Sequence, residues 1–234
     1  MKTVEINSLE EYLQEVIKGK TDRIVLYRGQ SLDKPLLPVV ARGNSKKDTT
    51  NEEERILQEF KNRTGLLAAN HKLETDWDWL SLAQHFGLKT RLLDWSSNPL
   101  ISLWFAFYFR CDDENSVVWR FNAPNDSLIQ SNSKASPFDK GGTKVFRPSI
   151  IDRRLEAQNA WFTAHKYSTR NKRFVTLESN SKYKPHLAKY IIPKKNREKI
   201  LSGLDSFGIN YSTVFPDIQG ISEYLNWKNQ NSYA

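Results

Sequence analysis

The stretch of residues 84–109, QHFGLKTRLLDWSSNPLISLWFAFYF, constrains the fold more than any other part of the chain. Its second half is apolar nearly all round, which predicts a buried helix that starts at Asn98 and Pro99. Its first half places polar side chains directly before that helix. Buried polar groups are costly unless they bond to each other or to a ligand, so the stretch is predicted to form the wall of a pocket.

The composition indicates a folded and basic protein. The 234 residues are 38% hydrophobic and carry a formal net charge of +8, and a chain of this length can bury the core of a large domain. Basic residues are dense from Lys166 to Lys199. A basic rim of this kind attracts nucleic acid, which is the partner we expect, although solvated surface lysines explain the same pattern.

The expected location is the cytoplasm. A single cysteine, Cys111, excludes an intramolecular disulfide, and the four scattered histidines have no metal-ligand spacing. The amino terminus lacks the pattern of a signal peptide, and no apolar run is long enough to span a bilayer. We therefore expect no metal site and no membrane association.

The pattern of apolar residues predicts an α+β fold. Residues 1–22 are predicted to hold an N-terminal helix capped by Ser8, and residues 23–225 to form a single domain with a strand over 23–30. Further helices are expected at 52–67, 80–86, 98–110 and 195–204, and strands at 117–121, 160–165, 173–177 and 190–192. Residues 88–94 fit a strand or an extended loop. Residues 122–142 form a long polar excursion, a candidate lid or partner-binding arm.

The usual catalytic signatures are absent from the sequence. Phosphate-loop, dinucleotide-fold, nucleophile-elbow and zinc-protease motifs are all missing, and Asp94 is the one acid in the dense stretch, so no carboxylate pair can be nominated. What remains is a set of neutral and cationic hydrogen-bonding side chains: Arg28, Gln30, Gln84, His85, Thr90, Arg91, Asn98 and Gln158. This set suits a substrate that carries phosphates and ribose hydroxyls.

Each of these residues also has a structural interpretation. Asp94 and Arg91 could form an ion pair or a cap, and Asn98 could simply cap the helix. Trp95 is more typical of a core than of a stacking platform. His85 could be a buried histidine with its partners inside the fold, and Gln158 could bond to the backbone.

Four blocks of the sequence resemble the FRG domain family. They are YRGQ at residues 27–30, LAQHFGLKTRLLDWSSNPLISLWFAF at 82–107, RRLEAQNAWFT at 153–163 and FPDIQG at 215–220. Tyr27 stands where the family motif has Phe. Asn159, after Gln158, stands where the resemblance leads us to expect a glycine.

The order of these blocks is in turn similar to that of ADP-ribosyltransferases, which implies a split, mainly antiparallel β-sheet flanked by helices that clasps NAD. The implied catalytic residues are Arg28 on a phosphate or on the adenosine-side ribose, His85 at the nicotinamide ribose and Gln158 in the place of a catalytic glutamate. Trp95 or Phe162 would stack on nicotinamide. The remaining residues of the implied NAD site are Tyr27, Gly29, Gln30, Thr90, Arg91 and Asn98.

The resemblance leads to one expected function with two alternatives. The expected function is an NAD-dependent ADP-ribosyltransferase-like toxin or antiphage defence effector that modifies nucleic acid, RNA above all. A neutral Gln158 cannot deprotonate a protein nucleophile, which leaves a nucleic-acid base or water as the acceptor. The basic rim favours the nucleic-acid base. An antitoxin protein could bind at residues 122–142. The alternatives are a non-catalytic sensor of nucleotides or nucleic acid and an NAD glycohydrolase.

Overall fold

The computed structural model describes residues 1–108, 114–129, 133–139, 141–150 and 152–230. These residues form a single α+β domain. Nine strands are assigned within the described ranges: β1 (Lys2–Glu5), β2 (Val25–Gln30), β3 (Leu92–Ser96), β4 (Ser116–Asn122), β5 (Lys144–Phe146), β6 (Ala160–Ala164), β7 (Tyr167–Ser168), β8 (Arg173–Phe174) and β9 (Leu187–Ile192).

Seven of these strands form one sheet in the order β1-β9-β4-β2-β3-β6-β5, and β7 and β8 form a separate hairpin. Within the described sheet the pairings are antiparallel except for that of β1 with β9. The expected α+β fold with a mainly antiparallel sheet is confirmed.

Helices cover the sheet. Those of the described residues are α1 (Leu9–Lys18), α2 (Val39–Arg42), α3 (Thr50–Thr64), α4 (Asp76–His85), α5 (Pro99–Tyr108), α6 (Arg153–Ala157), α7 (Arg197–Ser206), α8 (Tyr211–Val214) and α9 (Ile218–Lys228). One core cluster joins α1, α5 and α7 to β2, β4 and β9. A second joins α3 and α4 to β3, β5 and β6, and a third is centred on Trp95, Trp119 and Phe121.

The sheet divides between its two central strands. The pairing of β2 with β3 is limited to Tyr27 opposite Ser96. Beyond that point β2 continues alongside β4 as far as Gln30, while β3 continues alongside β6. A gap therefore opens between β2 and β3, and the candidate site lies there.

Helix α5 packs unusually close to β2 at Gly29. A Cβ atom at Gly29 would lie 1.9 Å from the Ser102 carbonyl oxygen and 2.4 Å from the Ala106 nitrogen. No side chain larger than hydrogen fits between these backbones. The buried helix predicted from residue 98 is confirmed, and Asn98 caps it, since its Oδ1 accepts from the Leu100 nitrogen at 2.9 Å.

Several boundaries differ from the prediction. Strand β1 precedes α1 and was not predicted, because its sequence KTVE has no apolar alternation and it is largely exposed. Helix α4 begins at Asp76 rather than at residue 80, since Thr75 and Asp78 form a reciprocal cap. The predicted strand 173–177 is reduced to β8, which pairs with β7 outside the main sheet.

The long excursion at residues 122–142 is anchored where it is described. Trp77 Nε1 donates to the Ala135 carbonyl at 2.7 Å, and Phe138 is buried. The guanidinium of Arg91 lies 4.6 Å from the centre of the Phe138 ring. Residues 133–139 therefore pack against the domain, while 130–132 and 140 lie outside the described residues.

Candidate functional site

A cleft of about 500 Å³ opens where β2 and β3 separate. Volumes of this size accommodate nucleotides and other ligands of a few hundred daltons. Residues from β2, β3, α5 and the α6–β6 junction form its walls. The lining comprises Tyr27, Arg28, Gly29, Gln30, Ser31, Leu32, Lys34, Arg42, Asp94, Trp95, Ser96, Ser102, Phe105, Tyr108, Leu155, Gln158, Ala160, Phe162 and Phe215.

Arg28 spans the gap between the separated strands. Its Nη1 donates to the backbone carbonyl of Asp94 at 2.7 Å and lies 3.6 Å from the carboxylate Oδ2 of the same residue. Burial lowers the pKa of Arg28, the neighbouring Asp94 raises it, and Arg42 lowers it further. The guanidinium nevertheless remains charged at neutral pH. Arg28 thus replaces a missing strand-to-strand hydrogen bond and brings a positive charge to the cleft.

A chain of hydrogen bonds holds Asp94 in position. Gln84 Nε2 donates to both carboxylate oxygens of Asp94, at 3.1 and 3.3 Å. The Oε1 of Gln84 accepts from Thr90 Oγ1 at 2.7 Å. The side chains of Thr90, Gln84 and Asp94 therefore bond to one another, and this chain presents the Asp94 carboxylate, 56% exposed, at the cleft.

Two buried polar atoms beside the cleft have no hydrogen-bond partner within the described residues. They are Arg28 Nε and Ser31 Oγ, and the Ser31 residue is 8% exposed. Unpaired buried groups are costly, and a ligand that entered the cleft far enough to reach these atoms would satisfy them. Lys34 and Arg42 are exposed at the same cleft. The lining thus carries three cationic side chains against the single carboxylate of Asp94.

Gln158, which lies far from Arg28 in the sequence, lines the same cleft. It ends α6, and its Nε2 donates to the Val214 carbonyl at 3.3 Å. Asn159 follows with a φ of +48°. This left-handed conformation favours glycine and is tolerated by asparagine, which explains how Asn159 replaces the expected glycine. Arg28 and Gln158 therefore line one cleft, as the sequence predicted.

Aromatic rings line another part of the cleft. Phe105, Tyr108 and Phe215 are partly exposed there, with ring centres 5.4 to 6.1 Å apart. Aromatic faces of this kind can pack on a planar ring of a ligand. The cleft thus combines cationic hydrogen-bond donors with an aromatic surface.

Four of the sequence-predicted site residues do not line the cleft. His85 lies 3.5 Å from Asp152, and burial lowers its pKa against the opposing effect of that carboxylate. Thr90 is 1% exposed and bonds to Gln84, and Asn98 is the cap of α5. Arg91, also 1% exposed, pairs with Glu53 Oε1 at 3.0 Å.

The expected ion pair between Asp94 and Arg91 is wrong. Arg91 directly precedes β3, and three residues along an extended chain place the two side chains on opposite faces. Arg91 therefore meets Glu53 of α3, and Asp94 meets Arg28 across the gap.

Trp95 and Phe162 contribute to the cleft wall, but their rings are packed in the core. Trp95 is 3% exposed and its Nε1 donates to Thr163 Oγ1 at 3.0 Å. Phe162 is 2% exposed and packs against Phe146. Neither ring offers a free face for stacking, which confirms the structural interpretation of Trp95.

The other predicted residues line the cleft with defined partners. Tyr27 is buried, and burial raises its pKa to about 12, with Tyr190 adding to the effect. Gln30 accepts from Trp119 Nε1 at 3.0 Å. Gly29 allows α5 to pack directly against β2, and this packing explains why a glycine stands at this position of the motif.

The residues that the sequence analysis missed lie in a loop or act through distant partners. Ser31 and Lys34 belong to the irregular segment after β2, and Arg42 ends the short helix α2. No periodicity signals that these residues return to the cleft. Asp94 was assigned to the wrong partner. A polar residue directly after a buried strand was the available signal for Ser31.

No group of three or more potential metal ligands is gathered within the described residues. Among those residues, no helix is long and apolar enough to cross a membrane.

Comparison with curated proteins found no match, and comparison with solved structures found none either. Comparison with protein families gave one result, which covers the first two of the four sequence blocks and with them β2, the gap, β3 and α5. Residues 23–115 match the family model of the FRG domain, and this part of the chain belongs to the FRG domain family.

Proposed function

We propose that the cleft binds a dinucleotide with a diphosphate, NAD above all, and that the protein is an NAD-dependent ADP-ribosyltransferase-like enzyme. The observation that carries the proposal is the unpaired Arg28 Nε and Ser31 Oγ beside the cations Arg42 and Lys34. Phosphate oxygens accept hydrogen bonds from guanidinium and hydroxyl groups and favour a positive site. The aromatic surface of Phe105, Tyr108 and Phe215 would receive the base or the nicotinamide ring.

The proposed chemistry breaks the bond between the ribose C1′ and the nicotinamide nitrogen. The electron pair of that bond leaves with nicotinamide, and an acceptor atom bonds to C1′ as it loses its proton. The oxocarbenium-like transition state carries positive charge, which a fixed carboxylate stabilises. We assign this role to Asp94, held by Gln84 and Arg28, and the positioning of a ribose hydroxyl to Gln158.

We propose that the acceptor is a nucleic acid and that the protein acts as a toxin or an antiphage defence effector. A glycohydrolase uses water as the acceptor in the same cleft. Both reactions release nicotinamide. An assay with buffer alone and an assay with added RNA therefore separate them.

The test is nicotinamide release from NAD by the wild type, by Asp94→Asn and by the matched control Asp126→Asn. Asp126 is an exposed acid paired with Lys182 and is not among the residues that line the cleft. We expect a loss of at least roughly a hundredfold in Asp94→Asn, as for removal of one transition-state-stabilising group, and no change in Asp126→Asn. Equal activity in both variants would contradict the assignment of Asp94.

One observation favours a second function, that of a non-catalytic nucleotide sensor. Gln84 already donates to both carboxylate oxygens of Asp94, and Arg28 lies 3.6 Å from one of them. Gln158 already donates to the Val214 carbonyl. Both proposed catalytic side chains therefore have partners inside the protein. A sensor of this kind binds ADP-ribose with a stoichiometry of one and releases no nicotinamide with buffer, RNA, DNA or protein.

A further inference from the structure

The β7–β8 hairpin contacts the loop that follows Arg42 at the end of α2. The backbone nitrogen of Phe174 donates to the Ser45 carbonyl at 2.8 Å, and Tyr167 Oη donates to the Lys46 carbonyl at 3.2 Å. Phe174 is 1% exposed, and its ring meets that of Tyr167 edge-on at 5.7 Å. The hairpin and the loop therefore form one surface.

This surface carries exposed cations without acidic partners. Lys46, Arg170, Lys172 and Arg173 are exposed, and no ion pair involves them within the described residues. Arg42 precedes Lys46 by four residues, a span of at most about 14 Å. The hairpin surface, defined as Lys46, Arg170, Lys172 and Arg173, thus begins within about 14 Å of Arg42 at the cleft.

Other members of the basic run between Lys166 and Lys199 are engaged elsewhere. Lys182 pairs with Asp126 at 2.7 Å, and Lys189 pairs with Asp33 and packs on Trp119. Arg197 donates to the Phe107 carbonyl. The basic residues between Lys166 and Lys199 are therefore close in sequence but lie in separate places in the structure. Within the described residues, those that lie nearest the cleft without an ion pair belong to the hairpin surface.

We propose that a single strand of nucleic acid docks on the hairpin surface, so that one nucleotide reaches the cleft. Protein–protein interfaces usually have an apolar core, whereas the large hydrophobic side chains that are exposed on the described residues lie outside residues 42–46 and 167–174. A surface of cations without apolar residues suits a phosphodiester backbone. The hairpin surface would be the acceptor site of the proposed transferase. The entry of one nucleotide into the cleft rests on the proposed function.

The test compares two double variants that each remove two positive charges. Arg170→Gln/Arg173→Gln alters the hairpin surface. Lys195→Gln/Lys199→Gln alters two exposed lysines, one just before α7 and one in its first turn, that do not line the cleft. Binding of a labelled single-stranded RNA is measured from 50 to 200 mM salt. We expect roughly tenfold weaker binding in the hairpin variant, with a log–log salt slope smaller by about 1.4, and little change in the α7 variant.

Three outcomes would overturn the inference: no RNA binding by the wild type, equal weakening in both variants, or equal competition by polyglutamate and by unlabelled RNA. The last would indicate an acidic protein partner instead. Thermal shifts with ADP-ribose on the same variants separate this inference from the proposed function, because the cleft should bind ADP-ribose equally well in both.

Discussion

Gly29 illustrates how a motif residue can be required by packing rather than by chemistry. The closest atoms to a Cβ at this position belong to the backbone of α5, which cannot move aside without displacing the helix. The resemblance to ADP-ribosyltransferases placed Gly29 in the implied NAD site, and the geometry shows that a glycine is needed here for the contact with α5.

Gly29→Ala is expected to lower the free energy of unfolding by about 1 to 3 kcal/mol or more, because the added methyl group overpacks the contact with α5. Gly43→Ala is the matched control, since a Cβ there meets nothing within 4 Å. Urea denaturation of both variants checks this. Equal stability of the two would contradict the close packing of β2 and α5.

Buried His165 makes the stability depend on pH. Its Nε2 lies 3.1 Å from Thr163 Oγ1, and burial, aided by Arg28 and Arg91, lowers its pKa from 6.5 to about 3. Between these values the unfolded chain binds a proton that the folded protein does not. The free energy of unfolding therefore falls as the pH decreases from 6.5 towards 3, by at most about 1.4 kcal/mol per pH unit.

His165→Gln should remove this pH dependence. The free energy of unfolding of the variant should therefore increase relative to that of the wild type as the pH falls. Denaturant titrations at pH 7, 6, 5 and 4 measure the difference, with His71→Gln as a control at a partly exposed histidine. Parallel curves for His165→Gln and the wild type would show that the pKa of His165 is the same in the folded and unfolded states.

Asp94 and Arg91 show which site contacts the sequence could not predict. Their spacing of three fits two residues on one face of a helix or two residues on opposite faces of a strand. The pattern of residues 88–94 fits a strand as well as an extended loop, so the sequence does not decide between these arrangements. Helix α5 and its Asn98 cap were predictable because all the determinants are local. The partners of Arg28 and Gln158 lie 66 and 56 residues away, at Asp94 and Val214.

At the scale of elements, the buried pair of Arg91 and Glu53 fastens α3 to the start of β3. Arg91 also donates to Thr50 Oγ1 at 3.2 Å and to the Pro137 carbonyl at 3.5 Å. One side chain thus connects a helix, a strand and the described part of the long loop. Strand β1 shows the opposite case, since it depends on distant β9 and has no local signal.

Glu53→Ala is expected to cost about 3 to 5 kcal/mol, because it leaves the Arg91 guanidinium buried and unpaired. Glu59→Ala removes an exposed glutamate of the same helix that pairs with Arg55 and Arg63, and should cost less than about 1 kcal/mol. Thermal unfolding of the two variants tests the contrast. Similar melting temperatures would mean that the Arg91 pair does not hold α3 in place.

At the scale of the whole molecule, the divided sheet creates the cleft, and distant parts of the chain supply its lining. The α+β fold followed from the sequence because irregular alternation of helices and strands is visible in the apolar pattern. The contribution of Ser31, Lys34 and Arg42 did not follow, since it depends on how an irregular loop returns to the sheet.

The most direct measurement is isothermal titration of ADP-ribose into the wild type and into Ser31→Ala/Arg42→Gln, with Ser206→Ala/Lys195→Gln as the matched control. Ser206 and Lys195 are not among the residues that line the cleft. We predict saturable binding with a stoichiometry of one, weakened at least roughly tenfold in the cleft variant by loss of a hydroxyl and a charge, and unchanged in the control. Absence of binding, or equal affinity in all three proteins, would contradict a phosphate-binding cleft between β2 and β3.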